Sequence, residues 1–485
     1  GSGGVMRVVY TCAPRRYPGG MTAAAPELKL PFGPSLVRCT LWDLYRYLRE
    51  FQRDPVGFVA RRFATYGDMY YAPLGPTRLY VTRHPEHIRE VLVDKGSSFK
   101  KTEVGNAARH LRRFLGSGLL LSNGELWRRQ RRMINPALHR RQVESYAGIM
   151  VGATQRMLDK WQGGGLVELS TEMMQLTLAI VTKSLFDYGV EERSGEVMAA
   201  MDTFRTVATT PALLPSWLPL PGELRTRRAL ALVDGIIYGM IDQRQALGAA
   251  ELSRRTDLLS ALILATDDEA AADEERRMTR QLLRDELLTM FLAGHETTSH
   301  ALTWTFYLLS QHPEVEAKLH AELDAALGGR PPTLADLRAL PYTDMVLSEA
   351  LRLYPPAPVV SRTAAEDTEV GGYPIPAGAE VIIWLYFTHH DPRWFPEPEA
   401  FRPERFAQGT PAAVRGAFLP FGGGSRLCIG KEFALLEARL VLATVAQRFR
   451  LQLEPGQRVA PRFAVTLSPR HGMQMRLTQR SPAPA

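Results

Sequence analysis

Apolar residues recur at the spacing of an amphipathic helix over 126–141, 143–161, 168–186, 227–247, 280–312, 313–327, 343–353 and 431–448, and Gly or Pro closes many of these segments. Strand patterns are fewer and shorter. Residues 69–72 and 78–82 alternate as the arms of a hairpin, 380–387 reads as a buried strand, and 459–477 predicts a C-terminal hairpin. The sum is a mainly α protein with small β-sheets. No internal repeat or low-complexity linker divides the chain, so one domain over 21–480 is expected, with a leader over 1–20 and a tail over 481–485.

Composition narrows the class. Of 485 residues, 45% are hydrophobic and 23% charged, which is globular and argues against a disordered or membrane-embedded chain. The charge balance, 59 − 51 = +8, is too small for this length to indicate nucleic acid. Cys12, Cys39 and Cys428 lie far apart without CxxC spacing, so neither a disulfide framework nor a cysteine-only zinc site can form. A reducing compartment, the cytoplasm, is expected. No run approaches the ~20 apolar residues of a membrane span. Gly1-Ser2-Gly3-Gly4 has the composition of a cloning scar, and both Met6 and Met21 are candidate starts.

The richest stretch is Phe421-x-x-Gly424-x-Arg426-x-Cys428-x-Gly430, immediately before the helix that begins near Lys431. Its glycines allow tight turns and close approach to a flat ligand. A cysteine at a helix N-terminus meets the positive end of the dipole, which favours the thiolate an iron ligand must be.

This motif resembles the haem-binding loop of the cytochrome P450 haem-thiolate monooxygenases, and four further motifs follow the family's order along almost the whole chain. The resemblance implies the P450 fold, with haem b between a distal and a proximal helix and Cys428 as the axial iron ligand. Phe421, Gly424, Arg426 and Gly430 would shape the loop. A thiolate ligand favours O–O cleavage over reversible oxygen binding.

The distal motif is Ala293-Gly-His-Glu296-Thr297-Thr-Ser299, in the middle of a long helical pattern. Glycine in a helix interior costs ~1 kcal/mol relative to alanine, and two β-branched neighbours add to it. By resemblance, the helix opens its hydrogen-bond ladder here: Ala293 lies against the haem, Thr297 hydrogen-bonds the oxygen, and Glu296 relays protons. Alternatively the threonines bond back to helix carbonyls and Glu296 is solvated. A zinc-protease motif fails, because H-E-x-x-H needs His where Ser299 stands.

Glu349 and Arg352 are neighbours at i and i+3, which alone reads as a surface pair. In the family the counterparts of Glu349, Arg352 and Arg405 form a buried triad that locks the haem-loop scaffold. Haem propionates need cations: Trp127 and Arg131, at i and i+4, suit a propionate clamp, and Arg362 and Arg426 match further propionate positions.

Arg128, Arg129, Arg131, Arg132, Arg140 and Arg141 crowd one segment. With only Trp127 to stack on bases, the run does not suit nucleic acid. By resemblance it lies on the proximal surface, and Arg128, Arg129 and Arg132 are candidates for docking a ferredoxin or flavodoxin. With no flavin or iron–sulfur domain in the sequence, electrons from NAD(P)H would arrive through a separate reductase. Pocket positions by resemblance are 103–121, 205–222, Ala293, Ala357–Val360 and Ala464–Thr466, mainly apolar, which implies a lipophilic substrate. Arg426, with Trp127-x-x-x-Arg131, resembles the branch that includes fatty-acid hydroxylases and microsomal enzymes. That branch raises fatty acids, terpenoids and carotenoids, with polyketide-like molecules also open, for hydroxylation or epoxidation. A haem-thiolate peroxygenase or isomerase and a non-enzymatic haem sensor are the alternatives. O2 is the implied co-substrate, and no transmembrane anchor is expected.

Overall fold

A computed structural model describes residue 31 and residues 41–74, 77–102, 106–189, 194–209, 221–267, 277–411, 414 and 416–480. The leader with its two candidate starts, Cys12, Cys39, the tail 481–485 and most of the pocket segment 205–222 lie outside the described residues.

The seven helices that build the core and carry the site are α1 (Gly124–Ile134), α2 (Ala147–Lys160), α3 (Leu169–Phe186), α4 (Pro221–Gln245), α5 (Arg280–Gln311), α6 (Pro341–Leu353) and α7 (Lys431–Arg448). The longest, α5, is capped by Thr279, whose hydroxyl accepts from the Leu282 N–H. It is buried nearly all round, as a helix at the centre of a large core is, with α3, α4, α6 and α7 packed around it. Gly294 is where α3 comes closest: a Cβ there would lie 2.7 Å from Val181 Cγ2. The glycine that weakens the helix locally is thus required by helix packing. The ladder does not open at this point, and α5 runs as one α-helix through Thr298.

Among the described residues the strands are β1 (Met69–Leu74), β2 (Thr77–Thr82), β3 (Phe99–Lys100), β4 (Gly165–Glu168), β5 (Val360–Ala364), β6 (Thr368–Val370), β7 (Tyr373–Ile375), β8 (Glu380–Ile383), β9 (Phe449–Leu453), β10 (Pro461–Phe463), β11 (Leu467–Pro469) and β12 (Gln474–Gln479). They form a five-stranded sheet in the order β1-β2-β8-β5-β3, a three-stranded sheet β4-β12-β9, and the pairs β6-β7 and β10-β11. The first hairpin stands as the alternation predicts, with Met69 opposite Thr82.

Three segments depart from the sequence pattern. The strand expected over 380–387 stops at Ile383, and Leu385–His389 is a helical turn. The helix expected over 126–141 ends at Ile134, where Asn135–Leu138 tightens into a 3-10 turn at Pro136, whose ring cannot continue the ladder. The 459–477 segment is not one hairpin: β10 pairs with β11, while β12 leaves for β4 and β9.

Candidate functional site

The loop before α7 is folded by its own backbone. The Cys428 N–H donates to the Phe421 carbonyl (3.0 Å), the Leu427 N–H to Gly424 (3.1 Å) and the Gly422 N–H to Leu419 (3.0 Å). Gly424 takes φ +66°, and a Cβ there would collide with the Leu92 carbonyl, so only glycine fits. Gly430 caps α7. Cys428 is ringed by protein yet open to solvent, as a group at the floor of a cleft is. Burial pushes its thiol up, and the Gly430 N–H and the Arg131 charge pull it down without prevailing. The thiolate expected from the helix N-terminus alone is therefore not reached: desolvation outweighs the dipole, and the charge of a bound metal would have to complete the deprotonation.

A second opening lies on α5. Between Leu283 and Phe306 every residue is buried except Ala293, Gly294 and Thr297, which share one helical face. The Thr297 hydroxyl donates to the Ala293 carbonyl (2.9 Å). Glu296 points elsewhere: it is 8% exposed, and its Oε1 accepts from the Thr466 hydroxyl (2.8 Å) in the β10–β11 turn. Burial raises this carboxyl, but the His300 and Thr466 contacts and the His295 charge overcome that and hold it at about 2. Glu296 is neither solvated nor turned toward Thr297.

A third feature is a cluster of cations. Burial pushes Arg362 down to about 10. Arg426 also falls to about 10, through burial first and then repulsion by Arg362 and Arg131. Lys101 falls to about 8 through burial, then through Arg362 and Arg426. Asn123 ties two of them, its Oδ1 accepting from the Lys101 backbone N–H (2.8 Å) and from Arg426 (2.9 Å). The Arg426 guanidinium lies 4.2 Å from the centre of the Trp127 ring, and Arg131 donates to the Leu427 carbonyl (2.9 Å) beside the cysteine. Among the described residues no carboxylate forms an ion pair with Lys101, Arg362 or Arg426. Arg362 is buried and Lys101 and Arg426 are partly so, and three crowded, mutually repelling cations offer charge for an anion to neutralise.

Glu349, Arg352 and Arg405 come together. Arg352 donates to both Glu349 oxygens at 2.8 Å, and Arg405 Nε reaches Oε1 at 3.1 Å. The arginine run of α1 is less free than its sequence suggests. Arg128 is exposed beside Glu125, but Arg132 bonds Asp267 (3.1 Å), and Arg129, only 14% exposed, donates to the Arg277 carbonyl (2.8 Å).

The sequence model of the family Cytochrome P450 matches residues 39–475. The chain belongs to the cytochrome P450 family. It is 38% identical over 422 residues to cyclooctatin synthase of Streptomyces melanosporofaciens, covering 86% of this chain and 90% of that one. It is 33% identical over 443 residues to pentalenene oxygenase of Streptomyces avermitilis, covering 89% and 95%. The crystal structure of the cytochrome P450DA heme domain superposes with a TM-score of 0.77 at 28% identity, covering 90% of this chain and 93% of the other. This P450 is a monooxygenase, an oxidoreductase that uses haem iron and O2 on lipophilic substrates with redox partners. Among the described residues no helix is long and apolar enough to cross a membrane.

The residues present fit haem. An accessible cysteine offers the sulfur donor, the Ala293–Thr297 face offers an apolar surface with one hydroxyl, and the crowded cations offer charge for two propionates. Two residues beside these features drew no reading from the sequence. Lys101 is carried beside Arg362 when β3 pairs with β5, a contact that nothing local in the sequence announces. Glu437 is wholly buried on α7 beside Thr298 of α5, and burial raises its carboxyl well above the ordinary range. The signal was available, since Glu437 falls among Phe433, Leu436, Leu440 and Val441 on the apolar face.

Proposed function

We propose that this P450 hydroxylates or epoxidises an apolar, polycyclic terpenoid, with electrons delivered from NAD(P)H by a separate ferredoxin or flavodoxin and its reductase. The observation that supports the haem-centred part is that Cys428, at the start of α7, is accessible and that Ala293, Gly294 and Thr297 are the accessible positions on the otherwise buried middle of α5. The substrate class is supported by the oxygenation of pentalenene that one relative's name records, and by the solvent-open Leu120 and Val465 at two expected pocket positions.

In this reading Cys428 would hold the haem iron through its sulfur, and haem, when bound, would supply oxygen activation, favoured by a thiolate donor. Lys101, Arg362 and Arg426, with Arg131 and the Trp127 ring, would hold the propionates. Phe421, Gly424 and Gly430 keep the sulfur at the cleft floor. Ala293 keeps the distal face low enough for a flat ring and an apolar substrate. The Thr297 hydroxyl, which rests on the Ala293 carbonyl, would be the hydrogen-bond donor on this face, and the Glu296 carboxylate, ionised at neutral pH, would pass protons from solvent toward it rather than hold one of its own. The donor docks near Arg128, with Arg129 and Arg132 adding field from behind their Asp267 contacts.

Purified enzyme with a ferredoxin and its reductase should convert a panel of cyclic terpenes and terpene alcohols under O2, after each is ranked by its spin-state shift. Donor reduction should slow as ionic strength rises. Turnover supported by peroxide but not by reduced donor and O2 would replace this reading with a peroxygenase.

A further inference from the structure

Glu296 has a partner that its role as proton relay does not use. His300 lies one turn further along α5, on the same face, and its Nε2 is 3.6 Å from Glu296 Oε1. The imidazole is 2% exposed, and neither ring nitrogen has a hydrogen-bond partner among the described residues. Leaving two polar atoms dry and unpaired is costly, and a leucine of similar size would fill the space without that cost.

The other histidine beside the acid does not share this position. His295 is spent on its own helix: Nδ1 contacts the Phe291 carbonyl (2.6 Å), and its ring stands edge-on to Phe291. Of the two, only His300 comes within reach of the Glu296 carboxylate, alongside the Thr466 hydroxyl on the same Oε1.

We propose that His300 is the positioning residue of Glu296: with Thr466 it holds the carboxylate in the contact between α5 and the β10–β11 turn, and sets how it is presented to Thr297. The inference rests on the reading of Glu296 as the proton relay. Its geometry is specific, because a separation of 3.6 Å is just beyond a hydrogen bond and closes with a small rotation about the His300 or Glu296 side chain. In the wild type, the acid is then a tethered group that turns from a fixed resting position. Without the imidazole it is held by Thr466 alone, so its carboxylate spreads over several orientations.

The test compares His300→Leu, His300→Gln and Glu296→Gln in the haem-loaded enzyme. One readout is structural: the infrared carboxylate band of Glu296, identified by its loss in Glu296→Gln, should shift and broaden in His300→Leu and return toward wild type in His300→Gln, which keeps a side-chain N–H. The other is coupling. His300→Leu should lose several-fold in product formed per NAD(P)H consumed and raise the solvent deuterium isotope effect, while substrate affinity by spin-state shift stays within about twofold, and His300→Gln should recover part of the loss. Equal losses in the leucine and glutamine variants, or an unmoved carboxylate band, would overturn the proposal and leave His300 as packing. If Glu296→Gln itself couples as wild type does, the proton-relay reading fails. If Glu296→Gln uncouples and His300→Leu does not, only the positioning role fails.

Discussion

Arg352 grips Glu349 through two hydrogen bonds of 2.8 Å within α6, and both side chains are wholly out of water. The remaining valences are also taken. Arg352 donates to the carbonyls of His389, Pro398 and Ala400, and Glu349 accepts from the Arg402 N–H and from Arg405. His389 passes the connection on, because its Nε2 accepts from the Leu419 N–H at the start of the cysteine loop (3.1 Å). The pair therefore acts on the haem loop through a continuous chain of hydrogen bonds.

Breaking one side of this pair leaves a buried, unpaired charge, which costs on the order of 3–5 kcal/mol. Glu349→Ala and Arg352→Ala are expected to yield little haem-loaded protein, read as the ratio of haem absorbance to protein. A normal haem ratio and melting temperature in either variant would contradict the chain from α6 to Leu419.

Gly424 makes a sharper claim about the loop alone. Its φ of +66° and its approach to the Leu92 carbonyl exclude a Cβ, so Gly424→Ala should lose haem as fully as loss of the cysteine does, while far-ultraviolet circular dichroism stays near wild type. Retained haem would mean that the loop tolerates a different path.

The cation cluster predicts how tightly haem is held. Each lost charge-assisted hydrogen bond is worth ~1.5–3 kcal/mol, so Lys101→Met and Arg426→Leu should each release haem roughly 10- to 100-fold faster to an excess of haem-scavenging apoprotein. Unchanged release from Lys101→Met would remove that lysine from the propionate site.

Glu286, beneath the loop at Leu119, gives a pH prediction. Burial, with the Asp285 charge, pushes its carboxyl from 4.5 up to about 8, although its Oε2 accepts from the Leu119 N–H (3.1 Å). Between those values the folded protein keeps a proton that the unfolded chain releases, so this residue lowers stability as pH rises through the window. Glu286→Gln keeps an acceptor and removes the titration. It should therefore be stabilised relative to wild type by on the order of 5 kcal/mol at about pH 8.5 and on the order of 1 kcal/mol at about pH 5, at ~1.4 kcal/mol per pKa unit between 4.5 and about 8. Parallel stability curves for the two proteins would contradict this.

Much of the site was legible because its chemistry sits in short local motifs: the cysteine loop is the single stretch from Phe421 to Gly430, and Glu349 and Arg352 are one helical turn apart. What the sequence hid depends on distant pairings. Lys101 joins the cation cluster only when Phe99 pairs with Ala364, and β12 joins β4 from three hundred residues away. Glu296 looked solvated or free to relay protons because nothing local announces Thr466. Arg129 looked like docking surface until the segment around Asp267 covered it. Where a strand gives way after Ile383, alternation fails because Trp384 and Phe387 turn toward the Phe63 cluster rather than continue beside β2.

The most direct test is the absorption difference spectrum of dithionite-reduced protein with and without carbon monoxide, for wild type and for Cys428→Ala. A strongly red-shifted Soret band in wild type and its loss in the variant is the predicted result. A histidine-like band from folded wild-type protein, or a red-shifted band that survives in Cys428→Ala, would contradict the account.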